Sequence, residues 1–146
     1  MRIAVLNGPN LNLLGTREPA IYGRDTLADV EARLRAVASE LGAEVSFAQE
    51  NSEGALIERI HALRGKSDGA IINAGAYSHS SLAIRDAFTA VEVPFVEVHV
   101  TNIYAREPER RHSMLAPAAR AVLCGFGTHG YELALRGLVA TLKPRG

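Results

Sequence analysis

The chain of 146 residues predicts a three-layer α/β sandwich, with helices on both faces of a five-stranded parallel sheet. Three observations carry that prediction. Five apolar runs of strand length alternate with segments whose apolar residues recur at helical spacing. Clusters of Asn, Gly, Pro and Ser separate them, stopping one element and capping the next. The third run, Gly69–Asn73, reads apolar on both faces, as a strand covered by helices on two sides must be.

Arg2–Asn7 reads as the first strand, closed by the turn cluster Asn7-Gly8-Pro9-Asn10. Residues 11–24 read as a long connection holding Gly15, Pro19 and Gly23. Long structureless loops in compact domains are often lids or binding loops, and this one carries Arg17, Glu18 and Tyr22. Asp25 or Thr26 caps a helix with Leu27, Val30, Leu34, Val37 and Leu41 on one face and Gly42 as its stop. Residues 44–48 alternate as a second strand. Asn51 or Ser52 caps a second helix through Leu56, Ile57, Ile60 and Leu63, ending near Gly65; His61 in it reads as a surface histidine. After the third strand and a polar stretch, residues 74–81, Ser80 or Ser81 caps a helix with Leu82, Ile84, Ala87, Phe88 and Val91. Pro94 opens the fourth strand. A charged loop, residues 104–113, then holds Arg106, Arg110, Arg111 and His112. Residues 119–124 form the fifth strand and 128–142 the last helix.

The N-terminal strand of such chains usually lies mid-sheet, so the flavodoxin-like order 2-1-3-4-5 is predicted, as one domain over residues 1–146. Loops after strands one and three then flank the switch point, where open α/β sheets bind ligands. Asn10, Asn73, His79 and His99 fall at or just beyond strand C-terminal ends, which predicts a polar crevice there. The fourth strand bears on this. Val96, Val98 and Val100 alternate with Glu97, His99 and Thr101. Alone, that pattern fits equally an edge strand with one wet face and an interior strand with buried polar groups that need partners. The predicted crevice favours the second.

Composition excludes several classes. Sixteen Lys+Arg balance sixteen Asp+Glu, so no global field favours nucleic acid, membrane or an acidic partner. Cys124 is the single cysteine; it forms no intrachain disulfide and suits a reducing cytoplasm. No run approaches a membrane span, and the apolar run at Ile3 to Leu6 is far too short for a signal peptide. Gly125-Phe126-Gly127-Thr128-His129-Gly130 matches a dinucleotide-binding pattern, but it follows the last strand and leaves no second βαβ unit. It reads as a tight strand-to-helix turn. Five histidines keep metal open as a lesser reading through His79, His99 and His112, although no H-x-x-x-H, H-E-x-x-H or C-x-x-C spacing occurs. No G-x-S-x-G elbow supports a serine hydrolase. Lys66 and Lys143 are the only lysines, and neither suits a Schiff base in the crevice.

Acid–base chemistry fits better. Glu97 and His99 share one strand face, as an orienting carboxylate and a general acid or base would. Tyr22 lies near Arg17, whose guanidinium stabilises a phenolate and so provides a base, although a lone tyrosine is more often a loop anchor. A non-catalytic flavodoxin-like module is the competing reading. A receiver-type version needs acids at the end of strand one, where Asn7 and Asn10 stand, and a flavin version would purify yellow.

Several segments together resemble type II 3-dehydroquinate dehydratase. They are Asn7-Gly8-Pro9-Asn10-Leu11, Arg17-Glu18-Pro19 with Tyr22-Gly23, Gln49-Glu50-Asn51-Ser52-Glu53-Gly54, Asn73-Ala74-Gly75, Ser78-His79-Ser80-Ser81, Arg85-Asp86-Ala87 and Glu97-Val98-His99. Arg106-Glu107, Arg110-Arg111-His112-Ser113, Gly125-Phe126-Gly127, Gly130-Tyr131 and Leu133-Ala134-Leu135-Arg136 follow in order. The resemblance implies a cytoplasmic, cofactor-free and metal-free hydro-lyase of the shikimate pathway. It would remove water from 3-dehydroquinate by anti elimination through an enolate. It further implies that Tyr22 removes the C2 proton, Arg17 stabilises the phenolate and the transition state, and Asn10 holds a water on the enolate oxygen. His99 would protonate the departing hydroxyl, with Glu97 orienting it. Asn73, His79, Arg110, Val100 and Thr101 would bind substrate. Asp86 would reach a neighbouring subunit's site in a homo-dodecamer built of trimers. The sequence departs from the family at Thr101, where serine is usual, and at Pro108-Glu109, where an aromatic residue commonly precedes the arginine.

Overall fold

In the computed structural model, which describes residues 1–142, five parallel strands hydrogen-bond in the order β2-β1-β3-β4-β5. This is the predicted flavodoxin-like order. β1 (Arg2–Asn7) carries five consecutive buried residues, and β3 (Gly69–Asn73) and β4 (Phe95–His99) are buried throughout. β2 (Glu44–Gln49) and β5 (Ala121–Cys124) are the edges, and their exposure is mixed accordingly.

Alternation sends successive side chains to opposite faces. Ile3, Val5, Ile71, Val96 and Val98 pack beneath α2 (Leu27–Leu41) and α5 (His129–Thr141). Ala4, Leu6, Ala70, Ile72 and Phe95 pack beneath α3 (Glu53–His61) and α4 (Leu82–Val91). β4 is therefore an interior strand, paired with β3 and β5, and the wet-edge alternative for its polar residues is removed.

Of each predicted pair of caps, the second residue does the work. Thr26 accepts from the Asp29 amide while the Asp29 carboxylate accepts from the Thr26 amide, a reciprocal capping box. Ser52 and Ser81 accept from the amides of Ala55 and Ile84.

Some details differ from expectation. Residues 11–24 are not structureless: Leu11–Leu13 make a 3-10 turn, and α1 (Pro19–Tyr22) is one helical turn opened by proline. β5 begins at Ala121 rather than residue 119, because a 3-10 turn with Pro117 holds Ala116–Ala118 just before it. Leu82, read as a core position, is exposed.

Lys66 lies in the turn before β3, at the opposite end of the sheet from the strand C-termini. Lys143 lies outside the described residues.

Candidate active site

The C-terminal ends of β1, β3 and β4 open into one cleft. Its lining includes Asn10, Arg17, Tyr22, Asn73, His79, His99, Val100, Thr101, Arg106 and Arg110. It forms where the β1–β3 neighbours diverge, the place expected of a ligand site in an open α/β sheet.

The floor comes from the turn after β1. Gly8 approaches the Ala74 backbone so closely that a Cβ there would lie 2.5 Å from the carbonyl oxygen. Asn10 follows in the left-handed region at φ 70°, which asparagine tolerates better than most residues. Its amide donates to Asn51 Oδ1 at 3.0 Å, and Gln49 Nε2 donates to Gly8 O and to the same Asn51 oxygen, each at 3.0 Å. The segment after β2 thus holds the turn that carries Asn10.

Beneath the floor, Asn73 is held from below. The Tyr131 hydroxyl accepts from Asn73 Nδ2 at 3.0 Å and donates to Asn7 Oδ1 at 2.5 Å. Asn7 and Asn73 are register partners on adjacent strands, so one phenol from α5 bridges both. Burial pushes the Tyr131 phenol up, and it stays a neutral donor.

At the end of β4, Glu97 is fully buried and His99 nearly so. His99 Nε2 lies 2.5 Å from Glu97 Oε2, and His99 lines the cleft. The Ser113 hydroxyl lies 2.7 and 2.8 Å from the two carboxylate oxygens. The predicted Glu97–His99 pair is thus in contact, with a third member that spacing on the strand did not reveal.

The opposite wall is the turn that ends in Tyr22. Arg17 stacks on the Tyr22 ring with its guanidinium carbon 4.8 Å from the centroid. A second guanidinium, Arg106, lies 5.3 Å from the same centroid and donates from Nη1 to the Tyr22 hydroxyl at 2.8 Å. The sequence reading paired Tyr22 with Arg17 alone. Arg106 lies 84 residues away, and only the position of its loop across the β4 end could have drawn attention to it. Thr101 Oγ1 sits at 3.5 Å from Arg106 Nη1, so the threonine hydroxyl faces the same guanidinium.

His79 donates from Nδ1 to the His112 carbonyl at 2.7 Å, and His112 Nε2 donates back to the His79 carbonyl at 2.7 Å. Its ring stacks on His99 with centroids 5.8 Å apart. Burial, with the positive neighbours His99, Arg110 and His112, holds His79 below the ordinary histidine value. A neutral ring donating from Nδ1 offers Nε2 as an acceptor. Arg110 pairs with Glu107. Asp86 lies on the exposed face of α4, outside the cleft lining of this chain.

Among the described residues, three arginines and two histidines line the cleft, and no Asp or Glu does. It is built for a small organic anion, with a hydroxyl-bearing base candidate on one wall and an imidazole on the other.

A family model described as dehydroquinase class II matches residues 1–139. The chain belongs to the class II dehydroquinases. It is accordingly an enzyme of the hydro-lyase type. A 3-dehydroquinate dehydratase of Gemmatimonas aurantiaca is 64% identical over 143 residues, covering 98% of this chain and 94% of that protein. A catabolic 3-dehydroquinase of Aspergillus oryzae is 52% identical over 143 residues, covering 98% and 94%. The crystal structure of type II dehydroquinase from Propionibacterium acnes superposes with a TM-score of 0.91 at 43% identity, covering 95% of this chain and 96% of that one.

Proposed function

We propose that the cleft binds 3-dehydroquinate and eliminates water from it by an anti route through an enolate, giving 3-dehydroshikimate without a cofactor. One observation carries this reading: a tyrosine with one guanidinium on its ring and a second on its hydroxyl, and a histidine backed by a buried glutamate, line the same acid-free cleft.

The roles follow from charge and hydrogen-bond capacity. The Tyr22 phenolate, stabilised by Arg17 and Arg106, takes the C2 proton. The electron pair moves into the adjacent carbonyl, and Asn10 holds a water against the resulting enolate oxygen. His99, protonated and oriented by Glu97, gives its proton to the C1 hydroxyl, which leaves as water as the double bond forms. Tyr22 then releases its proton and His99 regains one, so the cycle closes. Arg110 takes the substrate carboxylate, together with the Val100–Thr101 segment. Asn73 and His79 take its hydroxyls, His79 as a neutral acceptor.

The same reading places the enzyme in the cytoplasm and in the shikimate pathway. It assembles as trimers into a dodecamer, with Asp86 contributing to a neighbour's cleft. Light scattering measures that assembly independently of activity.

Mixing the protein with 3-dehydroquinate tests the reaction, since the conjugated enone product absorbs in the ultraviolet. Absorbance rises if the reading holds, and the rate persists in EDTA and after borohydride treatment. Folded protein that produces no enone overturns it.

A further inference from the structure

We propose that Ser113 is a positioning residue for the acid. Its hydroxyl is restricted to donating, which keeps Glu97 an ionised acceptor and keeps the shared proton on His99. The inference deepens the proposed reaction and rests on His99 being its acid.

Hydrogen-bond capacity restricts the hydroxyl to donating. A serine hydroxyl has one donor and two acceptor sites. The amides of Leu115 and Ala116 both donate to Ser113 Oγ at 3.0 Å, which fills the two acceptor sites. The remaining hydrogen points to Glu97, whose two oxygens lie 2.7 and 2.8 Å away. The 3-10 turn Ala116–Ala118 that follows these amides fixes the hydroxyl's direction.

A donor that cannot accept distinguishes the two states of its partner. The proton between Glu97 Oε2 and His99 Nε2, which are 2.5 Å apart, has two places to sit. On Glu97 it makes a neutral acid beside a neutral imidazole, and the ring has no second proton to deliver. On His99 it makes a carboxylate beside an imidazolium. Charge-assisted bonds to a carboxylate are roughly twice as strong as neutral ones, so Ser113 favours the second state. Water cannot substitute readily, because the Glu97 side chain has no exposed surface. The bond also joins the segment after the Arg106–Arg110 loop to β4.

The test compares Ser113→Ala and Ser113→Thr, each alone and with Glu97→Gln. Ser113→Ala should lower kcat by roughly 10- to 100-fold, the range for one hydrogen bond to a charged group, with KM changed by less than about threefold. Ser113→Thr, which keeps the hydroxyl, should recover kcat to within about threefold of wild type. In the Glu97→Gln background the alanine change should cost nothing further. In protein labelled with 15N-histidine, assigned with a His99→Gln sample, Ser113→Ala should shift the His99 Nε2 resonance. An unchanged kcat, an equal loss in the Glu97→Gln background, or an unmoved His99 resonance would each overturn the proposal. The resonance does not depend on turnover, so a harmless His99→Ala would discard the acid assignment while the Ser113 contact is still decided.

Discussion

His99 enters the cleft from β4, where every residue is buried, whereas Tyr22 enters it from α1, where none is. The imidazole is held by a sheet strand, a buried carboxylate and a serine whose every bonding site is occupied. The phenol is held by two arginine side chains and one helical turn. Buried polar groups must be fully partnered, so the first wall is rigid by construction. The turn of the second wall has no buried residue, so its place rests on the contacts of Tyr22 with Arg17 and Arg106.

Replacing Tyr22 by phenylalanine should have the largest effect, a loss of about 10⁴-fold, the upper end for one positioned proton-transfer group. Substrate binding should remain, and exchange of the C2 proton with solvent should stop. Near-normal exchange in that variant would remove Tyr22 as the base. His99→Ala should slow elimination by roughly 10²- to 10⁴-fold yet retain C2 exchange, because that step belongs to the opposite wall. If exchange and elimination fall together, the two walls do not divide the labour as described.

Arg106→Ala comes next, with an expected loss of about 10²- to 10³-fold in kcat, as for one preorganised electrostatic partner. A loss confined to KM would instead make Arg106 a substrate contact. Tyr131→Phe should leave Asn7 and Asn73 without their bridge and lower stability by about 1–3 kcal/mol in denaturant unfolding; an unaltered midpoint would show that the two asparagines re-pair.

The smallest effect concerns acid stability. His79 titrates below its ordinary value when folded, so the unfolded chain takes up that proton first as pH falls below about 6.5. The unfolded state then binds more protons, and stability declines with falling pH. The melting temperature of wild type should drop more steeply between about pH 6.5 and 5 than that of His79→Gln. Parallel curves would clear His79 of that role.

Local rules reached far into this molecule where they depend on neighbours in the chain. Strand spans, helix caps and the alternation of β4 are read from residues a few positions apart, and that alternation puts Glu97 and His99 on one strand face, while their contact is a finding of the structure. Arg106 escaped because nothing near residue 106 marks it as different from Arg110 or Arg111. Its distinction is a contact with Tyr22 made across the sheet. Ser113 and Tyr131 escaped for the same reason: each acts by hydrogen bonds to strands remote in sequence, and both belonged to quoted motifs without a role attached.

The sequence by itself determined the alternation of strands and helices, the sheet order, and the group of polar residues at strand C-terminal ends, since periodicity, caps and connection rules are local. Tertiary structure decided which arginine holds the Tyr22 hydroxyl, which serine holds Glu97, and which phenol holds Asn73. Those choices rest on distances of about 3 Å or less between residues as many as 124 positions apart, and only the packed sheet sets such distances.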